Sequence, residues 1–560
     1  MMNIETIGAR ILAIAVLVSL AACSDETTPG DDALGDDAPG GRDTETEPGE
    51  ADFEGLTATQ LLVRASLDLR GVRPSVEELA AVEADEGAID TLTEGFVDDS
   101  RFGDRMGDVF AGAWRTRIDS YEGGGPEFIG GDLPRYVGDE PSNLIAFIAL
   151  NDRPYTDLVD SEYTYVAEEL ATLWGLETVA AGEDLLPAGT VRGRYVDGRP
   201  QQGVLSMNSV FWRTESTIEN ANRGRANALS SALLCQSFLD RPIDFPTDLD
   251  LTDSESIRNA IRTDPACQGC HSTLDPLASY LWGYMYPEAA FYQSTYDVPG
   301  ELGWTAHTGV EPGYFGRQGS RMTDLAGFVA ADERFVSCAV QTVYEGMMGR
   351  PVQLADEGAL AEHREDFLAS GLSLKSLVLS ILRSPTYRGM AYEPRFGGSP
   401  APVQGKVVPV EVMSSAMKSL TGYELRYFGR EAMTVDFALR RLAGGSDRGS
   451  AYDVSTGAVL VQRRLAEGGA VYAVQTVLDG GQSSGLLDAY LRAVDLSAEP
   501  TAEDLASLVA LVRSRQVDPS DEAVTALATL WRDAQSASSA TDAWATVLTA
   551  VLADPDLLLY

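Results

Sequence analysis

The stretch TATQLLVRASLDLRGVRPSVEE, residues 57–78, decides how the chain is read. Leu61, Leu62, Ala65 and Leu69 recur at helical spacing and make one apolar stripe. Ser75, three residues before Glu78 and just after Pro74, has the form of a capping box that opens a second helix. Moving outward, Phe96, Val97, Met106, Val109, Phe110 and Trp114 continue the pattern, so 56–120 is expected to form a small helical domain. Glycines at 123–125, 130 and 131, with Pro126, interrupt it. Residues 121–240 mix helical stretches such as 166–173 with Gly/Arg-rich irregular pieces around 191–203. Residues 241–388 are expected to be a further module with trailing helices. Gly397, Gly398, Pro400 and Pro402 mark 389–406 as a linker, and 407–560 as a separate C-terminal helical domain. In that last domain Leu505, Leu508, Val509 and Val512, and again Trp544, Val547, Leu548 and Val551, fall at i, i+3, i+4 and i+7. The expected fold class is mainly α and multidomain, with no internal repeat visible.

Composition bounds the function. With 560 residues of which 44% are apolar, the chain has material for ordinary hydrophobic cores, which excludes wholesale disorder. Its 85 acidic side chains against 42 basic ones give −43, a balance that repels a phosphate backbone, so nucleic acid is not an expected partner. Only Lys375, Lys406 and Lys418 are lysines, so there is no lysine-rich docking face.

Residues 1–22 carry Arg10 and then an apolar run from 11 to 20, too short to span a bilayer and typical of a signal peptide. The run ends in Leu20-Ala21-Ala22-Cys23, which resembles the lipobox of bacterial lipoproteins. The resemblance implies that Cys23 becomes an acylated N-terminus and ties the protein to a membrane. Ser24, rather than Asp, implies an outer-membrane lipoprotein facing the periplasm or the surface. The plainer alternative is an ordinary signal peptide cut after Ala22. Between 24 and 55 stand twelve acidic residues and one base, Arg42, so 23–55 is expected to be the acylated cysteine followed by a disordered, self-repelling spacer.

One motif carries chemistry. Cys267-Gln268-Gly269-Cys270-His271 has the pattern of c-type haem attachment, two thiols on one helical turn for the vinyl groups and an imidazole placed against the iron. In a chain with five Cys and three His this pattern arises by accident about twice in ten thousand sequences. Three plainer readings compete. A thioredoxin-like pair wants a βαβ context, which is missing here. A structural zinc site needs a second ligand pair at finger-like spacing, which the remaining Cys and His do not make. A local disulfide between Cys267 and Cys270 is the third. The expected cofactor is one covalent haem c, at Cys267, Cys270 and His271.

The chain resembles the large multidomain surface proteins of planctomycete and myxobacterial type that carry a planctomycete-cytochrome-c-like module. The match lies in Asn222-Arg223-Gly224-Arg225 leading to Leu233-Leu234-Cys235, in Cys267 to His271 running into Leu274-Asp275-Pro276-Leu277, and in Tyr344 to Arg350. Leu67 to Pro74 and Asn151 to Tyr155 look like that group's upstream domains. The group's activity is unassigned, so the resemblance implies haem and names no reaction. After Asp275-Pro276 the group tends to continue with Gly and a Phe-rich stretch, where this chain has Leu277-Ala278-Ser279-Tyr280.

His271 is expected to be the proximal ligand, with its other ring nitrogen held by a backbone carbonyl or by Asp275. The favoured distal ligand is Met322, with His307, Met347 and Met348 as alternatives and a core-filling role as its plain reading. His363, among Glu362, Arg364, Glu365 and Asp366, reads as a solvated surface residue. Cys235 and Cys338 both look buried, and in an oxidising compartment they are expected to pair; two independent buried thiols are the alternative. The expected function is a membrane-anchored monohaem protein passing electrons to a periplasmic or surface partner. A surface-anchored binding or assembly lipoprotein with structural or no haem, and a haem-dependent oxidoreductase, are the alternatives; whether the chain is an enzyme stays open.

Overall fold

The structure, a computed structural model, describes residues 55–117, 133–213, 216, 220–240, 249–250, 252–284, 296–403, 405–427, 430–435, 437–445 and 453–560. The signal peptide, Cys23 and the spacer as far as residue 54 lie outside these. With 61% of the structure helical and 5% in strands, the chain is mainly α.

Helix Ala58–Arg70 begins as its sequence dictates. Thr57 Oγ1 accepts the Gln60 N–H at 3.2 Å and Gln60 Oε1 accepts the Thr57 N–H at 3.0 Å, and Gly71, at φ +67, ends it. The same reciprocal pair, Ser75 with Glu78, opens Val76–Ala84. The first helix is not the one-striped surface helix that Leu61, Leu62, Ala65 and Leu69 suggest, because ten consecutive residues, Leu61 to Arg70, are buried. Its polar side chains tolerate this because each is partnered. Arg64 donates to the carbonyls of Tyr387 and Val403, and Arg70 grips Glu78 through two 2.8 Å bonds. Asp68 accepts from Lys406 Nζ at 2.7 Å, from Tyr387 Oη at 2.7 Å and from Tyr560 Oη at 2.6 Å.

Helices Arg101–Trp114 and Leu133–Leu150 approach closely at glycines. A Cβ on Gly107 would stand 3.0 Å from the Ser142 carbonyl oxygen, and one on Gly103 would stand 2.5 Å from Leu150 Cγ. Within 121–240, a three-stranded antiparallel sheet orders Thr164–Val166, Val191–Arg194 and Glu177–Val179 with the middle strand at its centre, Gly193 facing Thr164 on one side and Thr178 on the other. The Gly/Arg-rich irregular piece expected around 191–203 is therefore in part a strand.

The chain gathers into two compact units. The larger comprises Leu56–Leu420, Glu424–Gln462 and Pro555–Tyr560. Its main core draws on side chains from Leu61 to Val403, so the breaks near 120 and 240 interrupt helices and leave the packing continuous. The stretch 389–406, expected as a linker, is packed into this unit. Val403 and Lys406 are 5% and 3% exposed, Val403 N–H donates to the Thr386 carbonyl, and Lys406 Nζ meets Asp68. Residues 406–408 also pair with the end of the chain through Lys406 N–H to Tyr560 O, Tyr560 N–H to Lys406 O and Val408 N–H to Leu558 O, each 2.9 Å.

The smaller unit comprises, among the described residues, Gly55, Thr421–Tyr423 and Arg463–Asp554, so the C-terminal helical part starts later than residue 407. Its helices Ala502–Arg513 and Ala540–Leu552 bury Leu505, Leu508, Val509 and Val512, and Trp544, Val547, Leu548 and Val551. Among the described residues no helix is long and apolar enough to cross a membrane.

Candidate functional site

Two helices meet at Asp264, which ends Ser254–Thr263 and, through its carboxylate on the Ala266 N–H at 2.8 Å, caps Pro265–Ser279. Pro265 occupies the first helical position, where its fixed φ fits and no N–H is needed. On this second helix Cys267, Cys270 and His271 fall at i, i+3 and i+4, hence on one face. All three are half-buried, and both thiols are free. From residue 252 to 273 no side chain is fully buried; Ile257, Ala260 and Ile261 on the first helix are half-exposed apolar groups.

Four residues on, the environment reverses. Leu274, Asp275, Leu277, Ala278 and Ser279 are buried, and Leu277, Ala278 and Tyr280 enter the main core. Asp275, 4% exposed, accepts from the His271 ring at Nδ1, 2.8 Å away, and from both arms of Arg223, Nε at 2.6 Å and Nη2 at 2.9 Å. Burial pushes the Asp275 carboxyl up, but the hydrogen bonds from Arg223 and His271 outweigh it and hold it below the usual carboxylate range. Between the two candidates for the second ring nitrogen, the geometry takes Asp275. With Nδ1 so engaged, Nε2 is the nitrogen that faces no partner among the described residues.

Arg223 is the residue that sequence reasoning missed as part of the site. It opens helix Arg223–Leu234, preceded by Asn222 in the left-handed region at φ +63. Asn222 Nδ2 donates to the Leu281 carbonyl at 2.9 Å, while Arg225 Nη1 donates to Asn222 Oδ1 and to the Tyr284 carbonyl. Asn222-Arg223-Gly224-Arg225 and Leu274-Asp275-Pro276-Leu277, two motifs noted separately in the sequence, thus form one polar joint. An arginine and an aspartate standing alone, each in a short motif, were the only available signal.

The Cys267 thiol is pushed up by loss of solvent, and further by Asp264 and Cys270. Among the described residues no group of three or more His, Cys, Asp or Glu is arranged to hold a metal ion, which leaves the zinc reading without a ligand set. Met322 opens helix Met322–Ala330 and is buried in the main core, 3% exposed. Met347 and Met348 are likewise core residues. His307 belongs to the short helix Gly303–Thr308, and its side chain lies outside the described residues. Cys235 and Cys338 are joined in a disulfide, which ties the far end of the Arg223 helix to helix Glu333–Met348.

His363 is not a solvated residue. It is 3% exposed, because helix Glu357–Ala369 turns Ala359, His363 and Phe367 inward at intervals of four while its acidic neighbours in sequence fall on other faces. Its Nδ1 meets Ser380 Oγ at 2.8 Å.

No protein-family model, no curated protein and no solved structure matches the chain.

Proposed function

We propose that this chain is a membrane-anchored c-type monohaem protein that exchanges electrons with a periplasmic or surface partner. The observation that carries the reading is the donor set on helix Pro265–Ser279: two unjoined thiols and an imidazole on one half-exposed face, with the imidazole's other nitrogen already taken by a buried carboxylate. That set fits haem c. Each thiol would add across one vinyl group, its sulfur bonding one carbon and its proton going to the other, which needs reduced cysteines and no external oxidant. Once bound, the group supplies a one-electron couple at its iron. The chain's own residues do the rest. Asp275 fixes which ring nitrogen of His271 carries the proton and turns Nε2 outward, and Arg223 keeps Asp275 in place. Ile257, Ala260 and Ile261 are half-exposed apolar residues on the preceding helix. Cys23 is proposed as the lipid anchor at the outer membrane.

The test is expression with haem-maturation machinery, followed by a pyridine haemochrome assay and intact-mass measurement beside a Cys267→Ala control. The expected result is one added porphyrin mass per chain and a haemochrome of two thioether bonds, changed to the single-thioether form or lost in the control. A mature chain without porphyrin mass would end the electron-transfer reading and leave a lipid-tethered helical binding protein.

A further inference from the structure

We infer that the Arg223–Asp275 pair sets the reduction potential of the site, Asp275 drawing on the Nδ1 proton of His271 so as to favour oxidised iron and hold the potential low. The inference rests on His271 being an iron ligand. A backbone carbonyl, the other acceptor open to that nitrogen, offers only a partial charge. Here the acceptor is a full carboxylate at 2.8 Å, in a position only 4% exposed, where water does little to weaken it. The more strongly the Nδ1 proton is drawn away, the more electron density the ring delivers through Nε2, and the better the higher oxidation state is stabilised.

The pair is built to keep that charge in place. An isolated buried carboxylate would take up a proton or swing away. Arg223 prevents both with a two-pronged contact at 2.6 and 2.9 Å, a geometry that a lysine could not reproduce. Arg223 is itself held by the turn at Asn222, whose side chain is fastened to the Leu281 carbonyl two residues beyond the end of the haem-motif helix. Helix start, carboxylate and imidazole thus form one chain of charge-assisted bonds that ends on the proposed ligand. Aspartate at i+4 from the histidine is also the spacing that lets both side chains meet on one helical face without distortion.

Two variants and a conservative control test this in the haem-loaded protein. Asp275→Asn keeps the size of the side chain and removes its charge. It should retain covalent haem and raise the ratio of reduced to oxidised iron at fixed ambient potential at least tenfold, a shift of about 59 mV for a one-electron couple. The electron-paramagnetic-resonance g-values of the oxidised form should move with it, which a purely structural role of Asp275 would not require. Asp275→Glu should return the potential toward the parent's. Arg223→Gln frees the carboxylate to take up a proton or swing away from His271 and should shift the potential the same way, upward; it decides the matter if Asp275→Asn does not fold. A haem-loaded Asp275→Asn with the parent's potential and g-values, or an Arg223→Gln potential that is unchanged or lower, overturns the inference while the haem reading stands. A parent chain without porphyrin mass overturns both.

Discussion

At the scale of single residues, His363 shows how far local sequence can mislead. Four charged neighbours suggest a solvated histidine, yet the helical period puts it on the inward face, where burial pushes its pKa down to about 4 from an ordinary 6.5 against the weaker upward pull of Asp366 and Glu362. The folded state therefore disfavours the imidazolium. Stability is unaffected at pH 7, begins to fall as pH drops below 6.5 and is lower by about 3 kcal/mol at pH 4, because each tenfold rise in proton concentration across that window favours the unfolded chain by about 1.4 kcal/mol. Thermal unfolding followed from pH 7 to pH 4 should show this loss, and His363→Asn should flatten that part of the profile. An unchanged slope in the variant would assign the acid sensitivity to other groups. The haem-motif residues were legible for the opposite reason. Cys267, Cys270 and His271 need only helical spacing to share a face, and spacing is what a sequence displays. The role of Arg223 was not legible, because its partner Asp275 lies 52 positions away.

At the scale of elements, the helix start at Ser75 was readable from its capping box because the bonds involved span three residues, and the same reciprocal pair opens helices at Thr57 and Thr501. What an element packs against was not. Two glycines in helices make the point. Gly107 faces the Ser142 carbonyl across the junction of Arg101–Trp114 with Leu133–Leu150, whereas a Cβ on Gly327, in Met322–Ala330, would meet nothing within 4 Å. The same substitution should therefore have opposite signs. Gly107→Ala should cost about 1–3 kcal/mol, because backbone cannot swing aside as a side chain can. Gly327→Ala should gain about 0.5–1 kcal/mol from reduced freedom of the unfolded chain. Paired melting curves of the two variants check this; two losses of similar size would mean that helix packing does not discriminate between the sites.

At the scale of the whole molecule, the sequence divided the chain at glycine- and proline-rich punctuation, and the packing divides it elsewhere. Chain breaks are local, but the contacts that define a unit include Lys406 with Asp68 and Tyr560 with Asp68, separated by 338 and 492 positions. The chain leaves the larger unit after Gln462 and rejoins it at Pro555, an itinerary that no local pattern announces. The Cys235–Cys338 crosslink acts at this scale too. Its sequence separation of 103 residues corresponds to about 4–5 kcal/mol in the chain-entropy account, so the double variant Cys235→Ser, Cys338→Ser should lower the denaturant midpoint of the larger unit accordingly. That crosslink has one more consequence. Its loop encloses Cys267 and Cys270, so under the proposed export and haem loading only one of the three full pairings of these four thiols joins Cys235 to Cys338, and the inner couple stays available for porphyrin only if oxidation stops at that first bond. Under the proposed function, maturation becomes a sorting problem between an oxidase and a haem ligase working on the same polypeptide, and whichever of them arrives first at the inner couple determines whether the molecule is completed.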